Sequence, residues 1–516
     1  MEAPLVWSAS IILPVLVGLA GLGRKKPGYW IAYASAVTLL IPFGVILASW
    51  SSGSVASPIV DTVKIDLSRY KIGMFQLLMD GLSLPVVLGI SIVTGIVAYY
   101  SYKYMSVRIE EMEAHGENPP GLGTYYFLYN LFAVTMLGMA LSTNLIEFYL
   151  FLEISLIASF LLIAYYGYGD RRKISLLYFI WTHVAGALFI AGVLYYGVKG
   201  GSFDVLSYST LQGITYVAPA VSVIGTAAKI AAAAIILGLL IKMAVFGVHM
   251  WLPYAHAEAP TPVSALLSPN LIGIAGYALA RFAIPLFPGI MKELSSYFIG
   301  LAIVTIVYGG LVALRQDDFK RFLAYSSVSQ MGYLLLGIAT LTAFGIGGAM
   351  LHYLSHAIGK AVLFIVAGVF ITELHGLRSI SRMGGLARKY PLIAAAALLG
   401  FLHLVGMPPA LGLWSELLVT LGVVKAIPPV SADNVILVAT ALLLAYGVSA
   451  GYAFITMKRV FYGKPREDIP ESVPDGFKQS VVLLAVLGVV FFLVVSLIIV
   501  PLQGSAETLA RIVLGG

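Results

Sequence analysis

Several ionisable side chains lie inside stretches otherwise apolar enough to cross a bilayer, and their types and spacing suit proton transfer. Glu153 lies deep in NLIEFYLFLEISLIASFLLIAYYG. Lys242 sits inside an apolar run beginning near Ala231, and His249 follows seven residues later in KMAVFGVHMWLPYAHAEAPTPVSALLS, with Pro253, His256, Glu258, Pro260 and Pro262 beyond. His352, His356 and Lys360 recur at i, i+4 in MLHYLSHAIGKAVLFIVAGVF. FLHLVGMPPALGLWSELLVTLG carries His403 before Pro408 and Pro409, and Glu416 after them. A charge at mid-depth costs about 2.5–3.5 kcal/mol on insertion scales, so residues of these types inside spans mark sites by default.

The chemistry they offer is a movement of charge. A lone buried Lys sheds its proton through desolvation, whereas a carboxylate beside it holds the proton in place. Glu153 and Lys242, on two different spans, would therefore form a titratable unit whose charge state depends on their separation. On an uninterrupted helix Lys242 and His249 share a face about 10 Å apart along the axis. His352, His356 and Lys360 line one helix face and read as a proton-relay row. Haem or metal ligation by the two His stays open at this point, although an ammonium one turn further along disfavours a cation. Glu147 reads as a helix-end acid, Lys229 as a snorkelling residue and Asp80 as a helix N-cap. Asp317 and Asp318 read as span-start residues, with Lys320 and Arg321 at the membrane surface.

The elements that must position these residues are membrane spans. Of 516 residues, 60% are hydrophobic and 11% charged, and mean hydropathy is +0.95, the profile of a polytopic membrane protein. Cys is absent, which excludes Cys-ligated iron–sulfur clusters, thiolate metal sites and redox dithiols. The net charge of +7 is spread in short clusters between apolar runs and forms no stripe on a soluble domain, so no nucleic-acid partner is expected. The first run, about Val6 to Gly21, precedes its basic cluster Arg24, Lys25 and Lys26, the reverse of a signal peptide, and reads as a retained span.

Windows long enough to cross a bilayer fall near 5–23, 28–50, 82–102, 124–142, 144–166, 175–197 and 225–250, then near 264–286, 296–314, 321–343, 347–372, 391–420, 434–457 and 478–501. Loops after odd-numbered spans hold 20 Lys and Arg and the opposite side holds 8, with Lys229, Lys242 and Lys360 left in or at the edge of apolar runs. That bias predicts both termini outside the cell and the basic clusters in the cytoplasm. The polar connections, longest near 51–80, 103–123 and 459–477, read as loops, so residues 1–516 form a single transmembrane domain. The runs near 242–262 and 391–420 both break at prolines, a trace of a repeated transporter architecture.

MDGLSL, LEISL with Glu153, IKMAVFGVHMWLPYAHAEAPTPVSALL, LRQDDFKRFLAYSSVSQMGY, HYLSHAIGKAVLF and GMPPALGLWSE together resemble one family. It is the antiporter-like subunits of respiratory complex I, Mrp-type multisubunit cation/proton antiporters and membrane-bound energy-converting hydrogenases. The resemblance implies an all-α polytopic membrane protein of about 14 transmembrane helices. It further implies two inverted five-helix repeats, about 124–286 and 296–457, with discontinuous helices 7 and 12. It implies a polar axis from Glu153 on span 5 and Lys242 on span 7, through His352, His356 and Lys360 on span 11, to Glu416 on span 12. His403 has no counterpart in that axis. One departure stands out: span 8 lacks the family's Lys or His, leaving Ser268, Asn270 and water, or His249, to bridge the halves. A chain ending soon after span 14 resembles the shorter paralogues.

The expected function is proton translocation, or exchange of protons with Na⁺, by one subunit of a larger complex. Its partners would be other integral membrane subunits and the lipid bilayer, with no cofactor or metal of its own. Two other classes remain open on sequence: a stand-alone secondary transporter, and a haem- or quinone-bearing redox subunit.

Overall fold

The computed structural model describes residues 2–3, 5–53, 58–209, 213–217, 225–374, 376–426, 432–464 and 475–514. Arg466 and most of the 459–477 connection lie outside the described residues. The chain is mostly helical, and among the described residues 11 helices are each long and apolar enough to cross a membrane, or 12 counting one bent pair as a span.

In chain order the helices are α1 (Val6–Gly21), the pair α2 (Trp30–Leu39) and α3 (Ile41–Ser51) bent by 41°, α4 (Leu84–Ala114), α5 (Leu122–Leu141), α6 (Leu145–Tyr166) and α7 (Arg171–Gly200). Then come α8 (Gly225–Met243), α9 (Trp251–Glu258), α10 (Thr261–Leu286), α11 (Pro288–Leu314), α12 (Phe319–Ala339) and α13 (Ala343–Glu373). The last are α14 (Pro391–Val405), α15 (Gly412–Ala426), α16 (Ala432–Phe461), α17 (Asp475–Leu493) and α18 (Ser496–Leu514). With the bilayer withheld as a hydrogen-bonding solvent, each span satisfies its own backbone.

Two stretches read as loops form strands instead. β2 (Ile59–Asp66) pairs in parallel with β1 (Glu2–Ala3) and antiparallel with β3 (Met74–Met79). A hairpin of β4 (Leu206–Ser209) and β5 (Gly213–Tyr216) packs Leu206 onto Val60 and Leu78 of that sheet. The sheet anchors the start of α1, where Trp7 Nε1 donates to the Ile59 carbonyl over 3.0 Å and the Asp61 carboxylate accepts from the Trp7 and Ser8 amides. This is the sheet end of the bundle. At the opposite, basic end, Lys26 meets Glu110 at 3.1 Å and Arg171 pairs with Glu117, joining the tips of spans that the sequence places apart.

α13 is the buried axis. Its apolar window is wholly enclosed, whereas only 39% of the corresponding window of α7 and of α11 is. It packs against α4, α12, α14, α15 and α17, which explains why polar residues on it cannot be lipid-facing. The expected last span, near 478–501, is divided at Val494–Val495, and α18 runs across the sheet end. There Pro501 and Ser505 approach Gly81, while Leu502, Gln503 and Ala506 approach Gly347. Gly504, Glu507, Thr508 and Arg511 exposed on one face and Ile498, Leu502, Ala506 and Leu509 buried on the other make α18 amphipathic.

Candidate functional site

The break after Lys242 arises in the backbone. α8 ends at Met243, Ala244 adopts a left-handed conformation (φ 56°), and Trp251 resumes the helix as α9. Trp251 Nε1 donates to the Ile241 carbonyl over 3.0 Å, and the Phe246 amide donates to Thr305 Oγ1 over 3.2 Å, pinning the break to α11. The prolines do not make this break, contrary to the expectation from sequence. Pro253 lies in the first turn of α9 and Pro262 in that of α10, where a missing amide costs nothing. In the later run Pro408 and Pro409 do lie in the break, between Gly406 and Leu411.

Lys242 therefore stands in the last turn of α8, where the negative end of the helix dipole favours a cation. It is 4% exposed, and its Nζ has no hydrogen-bond partner among the described residues. Glu153 is within electrostatic reach of it, but the two do not touch. Glu153 Oε2 lies 3.1 Å from His183 Nδ1 on α7. Sequence reasoning passed over His183, which looks like a lone His in an apolar run; its only signal is that it too is ionisable within a span.

The break also overturns the shared face of Lys242 and His249. His249 is carried away to pack on Phe246, Tyr308 and Tyr325, and neither ring nitrogen is hydrogen-bonded. These aromatic contacts are with its own break, α11 and α12, so His249 makes no hydrogen bond to α10.

Along α13, His352, His356 and Lys360 are fully buried on one face. His352 Nδ1 is 3.2 Å from Ser415 Oγ, the residue before Glu416. Glu416 is 6% exposed, its Oε1 has no partner among the described residues, and its carboxyl lies over Gly406 at the break between α14 and α15. The His356 ring lies beside the Pro269 carbonyl with neither nitrogen in a hydrogen bond. Lys360 Nζ donates to the Leu323 carbonyl over 2.8 Å and to Ser326 Oγ. His403 stands to one side: its Nδ1 meets Ser355 Oγ at 2.9 Å and its ring backs onto Gly488 of α17.

Two buried residues extend this row. His256 of α9 stacks on Phe364 and lies within electrostatic reach of Lys320 and Lys360. Lys320, expected at the membrane surface, is fully buried. Its ammonium reaches under the α9–α10 link to the Ala257 and Ala259 carbonyls, the C-terminal end of α9, and lies 5.6 Å from the Tyr168 ring. The long Lys stem made a surface reading natural, and only the fold around it decides otherwise.

α10 carries two π-helical turns, Leu267–Leu271 and Leu279–Ala283. In the first, Ser268 Oγ bonds Ser327 Oγ, and Ser327 in turn donates to the Leu323 carbonyl that also receives Lys360. Tyr353 OH donates to the Asn270 carbonyl over 3.2 Å. Gly273 faces the Tyr353 ring so closely that a Cβ there would collide with it.

Residues 142–461, from the start of α6 to the end of α16, match the family described as NADH:quinone oxidoreductase/Mrp antiporter, TM. The chain belongs to this family. A relative in it is NADH-quinone oxidoreductase subunit M of Rickettsia conorii, 31% identical over 95% of each chain. Among solved structures, a chain of respiratory complex I from Thermus thermophilus superposes with a TM-score of 0.82 at 24% identity, over 98% of this chain and 99% of the other. A chain of the membrane-bound sulfane sulfur reductase, an archaeal respiratory membrane complex, superposes at 0.80 and 23% identity, over 99% of each. This member of the NADH:quinone oxidoreductase/Mrp antiporter family is thus an antiporter-like membrane subunit with buried charged residues, and neither the stand-alone transporter nor the redox subunit is favoured.

Proposed function

We propose that this subunit moves protons, alone or in exchange for Na⁺, through a mid-membrane row running from Glu153 and Lys242 to Glu416. The observation that carries this reading is the row on α13: His352, His356 and Lys360 at 0% exposure, with Ser415 and Glu416 at one end and the Ser326, Leu323, Ser327 and Ser268 contacts at the other. Buried ionisable groups in hydrogen-bond reach of hydroxyls and carbonyls are costly to keep and are suited to exchanging protons. Separation of Glu153 from Lys242 changes the charge Lys242 can hold, and the proton passes along the row. The step is an exchange of charge between side chains, with no covalent chemistry.

In this reading α8 with α9, and α14 with α15, are broken spans 7 and 12, α2 with α3 is one bent span, and α18 lies on the surface, which makes fourteen spans. The two inverted repeats run from α5 through α10 and from α11 through α16. The sheet end and both termini face outward, with the basic end in the cytoplasm. Integral membrane subunits of a respiratory, hydrogenase-type or antiporter complex would supply the driving reaction, as the setting of its relatives suggests.

The test is ion movement by the intact native complex in liposomes. Lys242→Ala or Lys360→Ala should abolish it while the complex still assembles. A rate that falls with a collapsed Na⁺ gradient would indicate exchange, and one indifferent to Na⁺ would indicate proton movement alone. Wild-type ion movement in both Lys variants would overturn the reading.

A further inference from the structure

The Glu153 carboxylate has its two oxygens in different situations. Oε2 lies 3.1 Å from His183 Nδ1 on α7. Oε1 is buried without a hydrogen-bond partner among the described residues and lies over Gly186, three residues after His183, where a side chain would occupy its place. Across α8 the Lys242 ammonium is likewise buried without a partner, within electrostatic reach of the same carboxylate. A buried acceptor and a buried ammonium, neither with a hydrogen-bond partner among the described residues and each within electrostatic reach of the other, gain a charge-assisted bond by closing.

We propose that Glu153 has two seats, one on His183 and one on Lys242, and that His183 is the positioning residue that draws it off Lys242. This rests on the reading of Glu153 and Lys242 as the switch of the row. The structure holds the first seat. The titratable groups facing Glu153 are Tyr149 on its own helix, Tyr178 and His183 on α7, and Lys242 on α8. Among these, only His183 and Lys242 can bring a positive charge to the carboxylate.

His183 is also the one placed to exchange its proton with the exterior of the bundle. Its side chain is 49% exposed on the outer wall, against 19% for Glu153. With a proton on both ring nitrogens the imidazolium binds the carboxylate through a charge-assisted bond, and Lys242 is left to pass its proton inward. With a neutral imidazole that bond is weaker, and the carboxylate sits on Lys242 instead. Gly186 makes the first seat possible by leaving room for Oε1.

The experiment uses the native complex in liposomes, driven by its own reaction, with ion movement read across about pH 5.5–8.5. His183→Leu is expected to slow ion movement about tenfold, the effect of losing a hydrogen bond to an ionised carboxylate. His183→Gln keeps a donor without a titrating charge and should retain activity but flatten the pH profile. Gly186→Ala leaves the imidazole intact yet fills the seat, and should slow movement as His183→Leu does. His183→Gln and Gly186→Ala both matching wild type in rate and pH profile, while Lys242→Ala abolishes movement, would overturn the proposal and leave the reading of the switch standing. Wild-type movement in Glu153→Gln and Lys242→Ala would overturn the underlying reading instead. Should His183→Leu fail to assemble, the other two variants decide.

Discussion

Arg281 and Asp80 form a buried bidentate ion pair at the sheet end, with Arg281 Nη1 2.7 Å from Asp80 Oδ2 and side-chain exposures of 1% and 6%. Arg281 also donates to Tyr277 OH over 2.9 Å and to Tyr216 OH over 3.1 Å, so one guanidinium joins α10, the start of α4 and the hairpin. Asp80 does what an N-cap does as well, accepting from the Ser83 amide over 2.9 Å. Asp80→Ala would strand a buried guanidinium, a change worth about 3–5 kcal/mol when one partner of a buried pair is removed. The expected outcome is a large drop in thermal stability of the detergent-solubilised complex; a variant that melts with wild type would show that Arg281 finds another partner.

Lys320 holds the basic end in a comparable way through the Ala257 and Ala259 carbonyls. Lys320→Met keeps the length and apolar stem but leaves the end of α9 without its donor, at about 1–3 kcal/mol. Hydrogen exchange should rise in α9 and at the start of α10 before it rises elsewhere. Protection unchanged in those segments would count against this role.

The uncharged contacts at the first π turn of α10 are the polar link between that helix and the α13 row. Ser268→Ala combined with Ser327→Ala removes the hydroxyl pair while leaving the fold's apolar packing in place. If protons cross there, ion movement should fall about tenfold, in line with one lost hydrogen-bond step. Tyr353→Phe, which removes the bond to Asn270, should act in the same direction. Gly273→Ala should be worse tolerated than either, because its side chain would drive into the Tyr353 ring.

Asp317 ties the start of α12 to the segment after α13. Its carboxylate accepts from Ser379 Oγ and from the Ser381 amide over 2.7 Å, and the Ser379 hydroxyl above all holds its pKa below the ordinary Asp value. Because the folded value is the lower one, this tether is at full strength above the unfolded Asp value of about 3.9 and is lost as pH falls through the folded value. Limited proteolysis at Arg382 and Arg388 should therefore be flat from about pH 8 to pH 5. Asp317→Asn should raise cleavage across that whole range; cleavage equal to wild type would remove the tether from the account.

The sequence by itself determined that this is a multispan bundle and which residues are expensive within it, because hydropathy and charge in apolar runs are local properties. Glu153, Lys242, His352, His356, Lys360 and Glu416 were legible for that reason, and so were the two interrupted runs. Partners were not legible, because they are set by which helices meet. Whether Glu153 touches Lys242 or His183, whether Lys320 lies in headgroups or under α9, and that Arg281 binds Asp80 from 201 residues away all depend on tertiary packing. Even the reach of His249 changed, since one left-handed residue, Ala244, turned the chain before the helical spacing could align it with Lys242. Periodicity holds only while a helix continues, and where this one stops only the surrounding bundle decides where each side chain goes.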